Sequence, residues 1–363
     1  MNKTWEIREA TLADDKGIRE LLKDVSQDGL VSLGFEREPS YFSAISVSYN
    51  KPEVYVYEDL ENSNIIGMFS AGLRNLFING KPELVRYTGD LRIHPDHQGT
   101  RVMFRMIKKL KGILGNEGWA HTVILSDNQK SLDTVSKARA GMPQYFHHAT
   151  FHTYTIPKQR RLVRPVLEND IKIRPALEDD IIAIQKFFDQ NAPKKQFFPC
   201  YDFSKLDDKK FYKNLKISNY QVAFSGNKMV GLLGLWNQEK FKQTRVIGYK
   251  HPIIRLINNF ILGGVKLPKK GAILSYEYAH TILVEDNKPD ILSALLKSAS
   301  HNPLYSKSPI IIGLDSKDPL NTALNPLRKH LLKSEHFLTT YADTPPSLLS
   351  TEYPYTYPEV SRL

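Results

Sequence analysis

The chain has 363 residues, 41% apolar and 25% charged; its length suggests two domains, and its composition excludes disordered, collagen-like and disulfide-framework classes. A single cysteine, Cys200, allows no intrachain disulfide, so a reducing, cytoplasmic compartment is expected. The formal charge of +11 favours anionic partners, but the basic residues are dispersed rather than gathered in one arm, which argues against nucleic acid.

The first residues, Met1 to Arg8, carry no apolar core and no small-residue cleavage site, so no signal peptide is expected. Ile7 to Asp15 (IREATLADD) reads as a short strand and a helix start, with Thr11 and Asp14 as a capping box. Ile18, Leu21, Leu22 and Val25 follow at helical spacing. After the polar turn Asn62-Ser63-Asn64, Ile66 to Phe69 forms a strand core. Arg74 to Ile78, the turn Asn79-Gly80 and Leu84 to His94 predict a hairpin with a long second strand. A helix follows with Val102, Met106, Ile107, Leu110 and Leu114 on one face, then a buried strand, Thr122 to Leu125, and a further helix.

Pro157 to Asp170 has no apolar period and reads as a linker. Beyond it the pattern returns. Ile173 to Asp180 repeats the opening motif one residue shorter, and Ile184, Phe187 and Phe188 take the helical positions. Val230 to Leu233 matches Ile66 to Phe69, and Ile282-Leu283-Val284 matches Leu91-Arg92-Ile93. The growing offset places extra residues at Glu239 to Gly271. Within them Ile253, Ile254, Leu256, Ile257, Phe260 and Ile261 suggest an apolar helix face over Tyr249 to Pro268, too short and interrupted to span a bilayer, so no membrane partner is expected. The repeat predicts an α/β (α+β) protein of two lobes, each a mostly antiparallel mixed sheet flanked by helices. Their limits are 1–157 and 171–341, with a linker at 158–170. The tail, 342–363, is rich in Pro and Tyr from Thr344 and either drapes over a groove or remains disordered.

Chemistry concentrates at Ile93 to Met103 (IHPDHQGTRVM), which joins the long strand to a basic helix carrying Lys108, Lys109 and Lys111. The first N–H groups of a helix lack intrahelical partners and lie at its positive dipole end, which suits a pyrophosphate. This run resembles the acyl-CoA loop of the GCN5-related N-acetyltransferase (GNAT) family: Gln98 and Gly99 open the pattern, and Ile93 and Pro95 match the strand end and turn before it. Arg101 stands where the family has its central Gly, and Met103 where it has Gly or Ala. Both crowd the loop, although Arg101 could offer a charge-assisted bond to the phosphates.

The resemblance is to tandem members of the family, extends to about Tyr341, and implies GNAT-like lobes with acetyl-CoA bound in the first. Backbone groups of Leu91, Arg92 and Ile93, exposed where two strands part, would pair with the pantetheine arm. Gln98, Gly99, Thr100, Arg101, Val102 and Met103 would hold the pyrophosphate, and Asn128 would approach the cofactor. Tyr145 would act as general acid on the leaving thiolate, and Asp90, beside the expected cleft, is the candidate base. Direct transfer to a small-molecule or peptide amine follows. In the second half, Val284 to Asp290 (VEDNKPD) has no Gly and three acids, so no CoA is expected there.

Two other readings stand beside this one. Arg101 and Met103 fit a GNAT-fold binding or sensor module without chemistry, and duplicated lobes of this kind also serve aminoacyl-tRNA-dependent transfer. His147, His148 and His152 have no Cys or acidic partner at ligand spacing, so no metal is expected. Cys200 has nothing beside it to lower its pKa and reads as inert.

Overall fold

The structure, a computed structural model, describes residues 4–27, 29–136, 141–158, 171–251, 267–301, 308–346 and 352–363. Most of the expected linker and the apolar face between Ile253 and Ile261 lie outside the described residues. In the first half β1 (Trp5–Glu9), α1 (Asp15–Asp24), β2 (Val31–Glu36), α2 (Tyr41–Ile45), β3 (Val54–Asp59) and β4 (Asn64–Ser70) come first. Then follow β5 (Leu73–Ile78), β6 (Lys81–Ile93), α3 (Val102–Leu114), β7 (Trp119–Leu125), α4 (Gln129–Ser136) and β8 (Gln144–Ile156). The second half opens with β9 (Ile171–Pro175), α5 (Ile181–Asn191), β10 (Phe198–Pro199), β11 (Tyr220–Ser225), β12 (Lys228–Trp236) and β13 (Gln243–Tyr249). It closes with β14 (Glu277–Val284), α6 (Pro289–His301), β15 (Ile310–Asp315) and β16 (His330–Thr340).

The helices form where the apolar spacing put them. α1 buries Ile18, Leu21 and Leu22; α3 buries Val102, Met106, Ile107, Leu110 and Leu114; and α5 buries Ile184, Phe187 and Phe188. The hairpin turns at Asn79 (φ 48°) and Gly80 (φ 77°), the left-handed pair that a tight two-residue hairpin requires. The two openings of the repeat are the same length, contrary to the shorter second copy expected. Asp14 accepts from Arg8 at 2.7 and 2.8 Å, and Asp180 from Arg174 at 2.6 and 2.8 Å. Each Arg–Asp pair spans six residues, so Asp180 matches Asp14 rather than Asp15. In both copies the Asp also accepts a backbone N–H three residues back, from Thr11 (2.7 Å) and Leu177 (2.8 Å). Gly67 on β4 and Gly231 on β12 are equivalent too. A Cβ on the first would press Met106 and Val102 of α3, and on the second Ile291 and Leu295 of α6, so each glycine lets a helix close on the sheet.

One sheet of 14 strands runs through both lobes in the order β1-β3-β4-β6-β7-β16-β8-β15-β14-β12-β11-β9, with β5 and β10 attached beside it. The lobes exchange their last strands. β16, from the second half, lies between β7 and β8, while β8, from the first, pairs with β15. The linker therefore separates two sequence halves that share their central strands. A second ribbon, β2 with β13, crosses between the halves. The end of the tail, 352–363, packs inside the molecule: Thr356, Tyr357, Glu359, Ser361 and Arg362 are at most 4% exposed.

At the exchange seam His121 of β7 and His336 of β16 lie fully buried with their ring nitrogens 3.0 Å apart. Burial drives both imidazoles below their usual range, His336 to about 3, with the neighbouring histidines adding to it. The unfolded chain protonates first as pH falls, so the stability these groups contribute is full above about pH 6.5 and declines toward pH 3. Denaturant unfolding should show a loss of about 2 kcal/mol per buried imidazole between pH 7 and pH 5. Equal stability at the two pH values would contradict a neutral histidine pair at the seam.

Candidate active site

Strands β6 and β7 are parallel and pair only at Tyr87 with His121 and Thr88 with Thr122. Beyond that they part. The cause lies on the other edge of β6, where Gly89 faces Ser70 and Arg92 faces Met68, so Asp90 and Leu91 together oppose the single residue Phe69. This is a β-bulge, with Asp90 at φ 49°. The vertex is pinned by hydroxyls: Thr88 to Thr122 at 2.6 Å and Thr339 to Thr122 at 2.8 Å. Above it the edges of Leu91, Arg92 and Ile93 face the gap, Leu91 39% exposed. The expected parting is present, and it coincides with the bulge.

The chain next makes a short turn of helix at Pro95–His97 and enters α3 through Arg101. Gly99 has φ 76°, and a Cβ there would meet no atom within 4 Å, so the backbone faces open space. Gln98, Gly99, Thr100 and Arg101 are exposed, Met103 is half-buried and Val102 is buried against the core. The Thr100 hydroxyl donates to the His97 carbonyl at 2.6 Å and accepts weakly from the Val102 N–H at 3.4 Å. The Gln98 amide reaches back to the Ile93 carbonyl at 3.4 Å. Bulge, turn and helix start thus form one continuous rim.

Asp90 sits at the mouth of the gap. Its carboxylate accepts from the fully buried Tyr41 hydroxyl at 3.0 Å and lies 3.9 Å from Arg37. Burial would push it up, but Arg37, Arg92, the Tyr41 hydroxyl and Lys242 outweigh burial and hold it below the usual carboxylate range. Lys242, half-buried, donates to the Leu363 backbone oxygen at 2.7 Å. Burial and the like charge of Arg37 bring its ammonium down to about 7. Beside them Arg74 lies 3.4 Å from the centre of the Tyr87 ring and donates to the Arg362 carbonyl. Sequence reading found Asp90 but not Arg37 and Tyr41, from one short segment after β2, or Lys242, from a distant one before β13, and no motif links the two.

One expected site residue lies away from the gap. Tyr145 on β8 faces Thr339 of β16, which faces Ala120 of β7. The exchanged β16 therefore sets Tyr145 two strands, or about 10 Å, from β7. It also sits at the paired end of β7, opposite the end where the gap opens. Burial pushes its hydroxyl up to about 12, so it is a poor proton donor at neutral pH. Asn128 follows the end of β7 at which the gap opens and caps α4, its side-chain oxygen accepting from the Ser131 N–H at 3.2 Å. His147, His148 and His152 have separate partners in Glu335, Thr356 and Tyr154. Burial raises the Cys200 thiol to about 12, which fits an inert side chain.

The second lobe repeats the geometry. β14 and β15 pair at Glu277 to Ala279 and then part. Gly234 faces His280 and Leu232 faces Leu283, so Thr281 and Ile282 form the equivalent bulge, Thr281 at φ 49°. Here the chain itself fills the gap. The Tyr357 hydroxyl accepts from the Ile282 N–H at 3.1 Å, and the Asp315 carboxylate of β15 accepts from the Thr356 N–H at 3.0 Å. Tyr357 stacks on Phe198, and Arg362 donates to the Val47 and Phe211 carbonyls and to the Tyr201 hydroxyl. The acids at Glu285 and Asp286 are present as expected, but the occluding element is the tail.

A bulged strand parting from its parallel neighbour, followed by a turn into a helix, defines the GNAT fold, and this chain carries it twice. It is similar to N-myristoyltransferase of Saccharomyces cerevisiae, solved with bound myristoyl-CoA, at TM-score 0.57 and 11% identity, over 95% of this chain and 81% of that one. It is also similar to a GCN5-related N-acetyltransferase from Sphaerobacter thermophilus, at TM-score 0.54 and 10% identity, over 97% and 99%. A third, from Anabaena variabilis, matches at TM-score 0.51 and 10% identity, over 93% and 73%. No family model and no curated protein sequence matches the chain. The fold is that of the acyltransferases among these structures. Among the described residues no helix is long and apolar enough to cross a membrane.

Removing the Tyr357 hydroxyl leaves the Ile282 N–H without its acceptor in a dry interior. Tyr357→Phe should therefore destabilise the protein by about 1–3 kcal/mol in urea unfolding. An unchanged midpoint would show that the tail does not seal the second gap.

Proposed function

We propose that the protein is an N-acyltransferase that binds acetyl-CoA in the first lobe and passes the acetyl group directly to an amine. The observation that carries this reading is the open rim of the first lobe, set against the filled gap of the second. The gap between β6 and β7 fits a pantetheine arm, with Leu91, Arg92 and Ile93 offering backbone groups. The turn from Gln98 to Met103 fits a diphosphate, because Gly99 leaves the backbone approachable and the α3 N-terminus supplies N–H groups and positive potential. Arg101 is exposed, which leaves it able to meet the phosphates from outside rather than block them.

Asp90 attracts and orients the ammonium form of the acceptor. A carboxylate held this low is a weak base, so the amine gives its proton to solvent before it attacks the thioester carbonyl. Backbone N–H groups of the bulge meet the developing oxyanion. The leaving thiolate, the conjugate base of a thiol with a pKa of about 8.5, departs without prior protonation and then takes a proton from solvent, so the absence of Tyr145 from the gap does not stop the reaction.

Calorimetry should show one CoA bound per chain, weakened at least about tenfold by Gly99→Val, which puts a branched side chain at a left-handed position against the phosphates. No heat with folded protein would overturn the reading. Asp90→Asn should lower kcat/KM by about 100-fold with CoA affinity unchanged, whereas Tyr145→Phe should change it less than about threefold. A large loss in Tyr145→Phe with Asp90→Asn intact would reverse these roles.

A further inference from the structure

A donor held with its diphosphate at Gln98 to Met103 and its pantetheine arm along Leu91 to Ile93 runs down β6 toward the closed end of the gap. Its thioester sulfur therefore comes last, at the vertex. There β6 and β7 still pair, Tyr87 with His121 and Thr88 with Thr122. Tyr87 and His121 are buried, the first beneath Arg74. Thr88 and Thr122 keep partial exposure and are the polar side chains the vertex presents.

Three hydroxyls meet at this point. Thr88 and Thr122 have their oxygens 2.6 Å apart, and the buried Thr339 donates to Thr122 at 2.8 Å. Each hydroxyl carries one proton. The Thr339 proton goes to Thr122, a second proton joins Thr122 to Thr88, and the third is left over. A hydroxyl that accepts a hydrogen bond becomes a better donor, so Thr122 turns its proton to Thr88. The proton of Thr88 is then available to the gap.

The second lobe shows that the fold does not require these hydroxyls. Matching the bulges, Asp90 with Thr281, sets Thr88 against Ala279. Ala279 faces Ile312 as Thr88 faces Thr122, and Ile156 faces Ile310 as Thr339 faces Ala120. The three threonines thus correspond to Ala279, Ile312 and Ile156, all apolar and buried, in the lobe whose gap the tail fills. The hydroxyl set belongs to the open gap alone.

We propose that Thr88 is a catalytic residue of the transfer: its hydroxyl donates a hydrogen bond to the thioester sulfur as the C–S bond breaks, and Thr122 and Thr339 are positioning residues that aim it. The assignment rests on the acyltransferase reading and deepens it. The amine nitrogen forms the new C–N bond, and the C–S electron pair passes to sulfur. Thr88 keeps its proton, and the thiolate then takes one from solvent. The hydrogen bond strengthens as charge builds on sulfur, so it favours the transition state over bound acetyl-CoA.

The test uses the full chain with acetyl-CoA and CoA. Thr88→Val, close in shape, should lower kcat by about tenfold or more while CoA affinity stays within about twofold, and Thr88→Ser should restore most of the rate. The thiol of bound CoA, followed by the ultraviolet absorbance of its thiolate, should titrate at least about half a pH unit lower in the parent than in Thr88→Val. Thr339→Val should cost about threefold in kcat, and nothing further in the Thr88→Val background. An unchanged kcat in Thr88→Val, a lowered kcat with the thiol titration unmoved, or additive losses in the double variant would each overturn the proposal while leaving the acyltransferase reading intact. If the parent binds no CoA, that reading fails and the role of Thr88 falls with it.

Discussion

When two paired strands part, the backbone groups they release must find other partners, because an unsatisfied N–H or C=O inside a protein costs as much as a lost hydrogen bond. This chain parts a parallel pair twice, each time beside a bulge with a left-handed residue, Asp90 in one lobe and Thr281 in the other. The two lobes meet the same requirement differently. In the second, Tyr357 and its neighbours enter the gap and take the Ile282 N–H. In the first the gap opens to the rim formed by Leu91–Ile93 and Gly99, and a ligand with matching polar groups can do what the tail does across the molecule. The difference between the two gaps follows from which of them the tail occupies.

Strand exchange gives this arrangement its rigidity. With β16 clamped between β7 and β8, and β8 paired to β15, neither lobe completes its sheet alone. The hydroxyl cluster of Thr88, Thr122 and Thr339 joins three strands from both halves at the vertex of the first gap. The ribbon of β2 and β13 then brings residues from each half to Asp90, so the charged site is itself shared between the halves.

The local features were legible in the sequence. Apolar spacing gave the buried faces of α1, α3 and α5, Asn79-Gly80 gave the hairpin, and the repeat aligned Leu91-Arg92-Ile93 with Ile282-Leu283-Val284, which the two bulges place as equivalents. The turn at Gln98 to Met103 lies where its residues implied. What escaped was long-range. Nothing in the pattern of β16 says that it will insert beside β7, and that insertion is what removes Tyr145 from the gap. The surroundings of Asp90 come from Tyr41, Arg37 and Lys242, so its lowered pKa, and with it the proposed role of anchor in place of base, could not be read locally. The Pro- and Tyr-rich tail was recognisable as unusual, but its role depends on a gap that only the folded second lobe creates.

The most direct measurement is diffraction from crystals grown with CoA. The account predicts a diphosphate against the backbone from Gly99 to Met103 and a pantetheine arm along Leu91 to Ile93, with Tyr357 still seated between β14 and β15. A nucleotide lodged in the second lobe with the tail displaced, or a first-lobe turn left empty at saturating CoA, would contradict it.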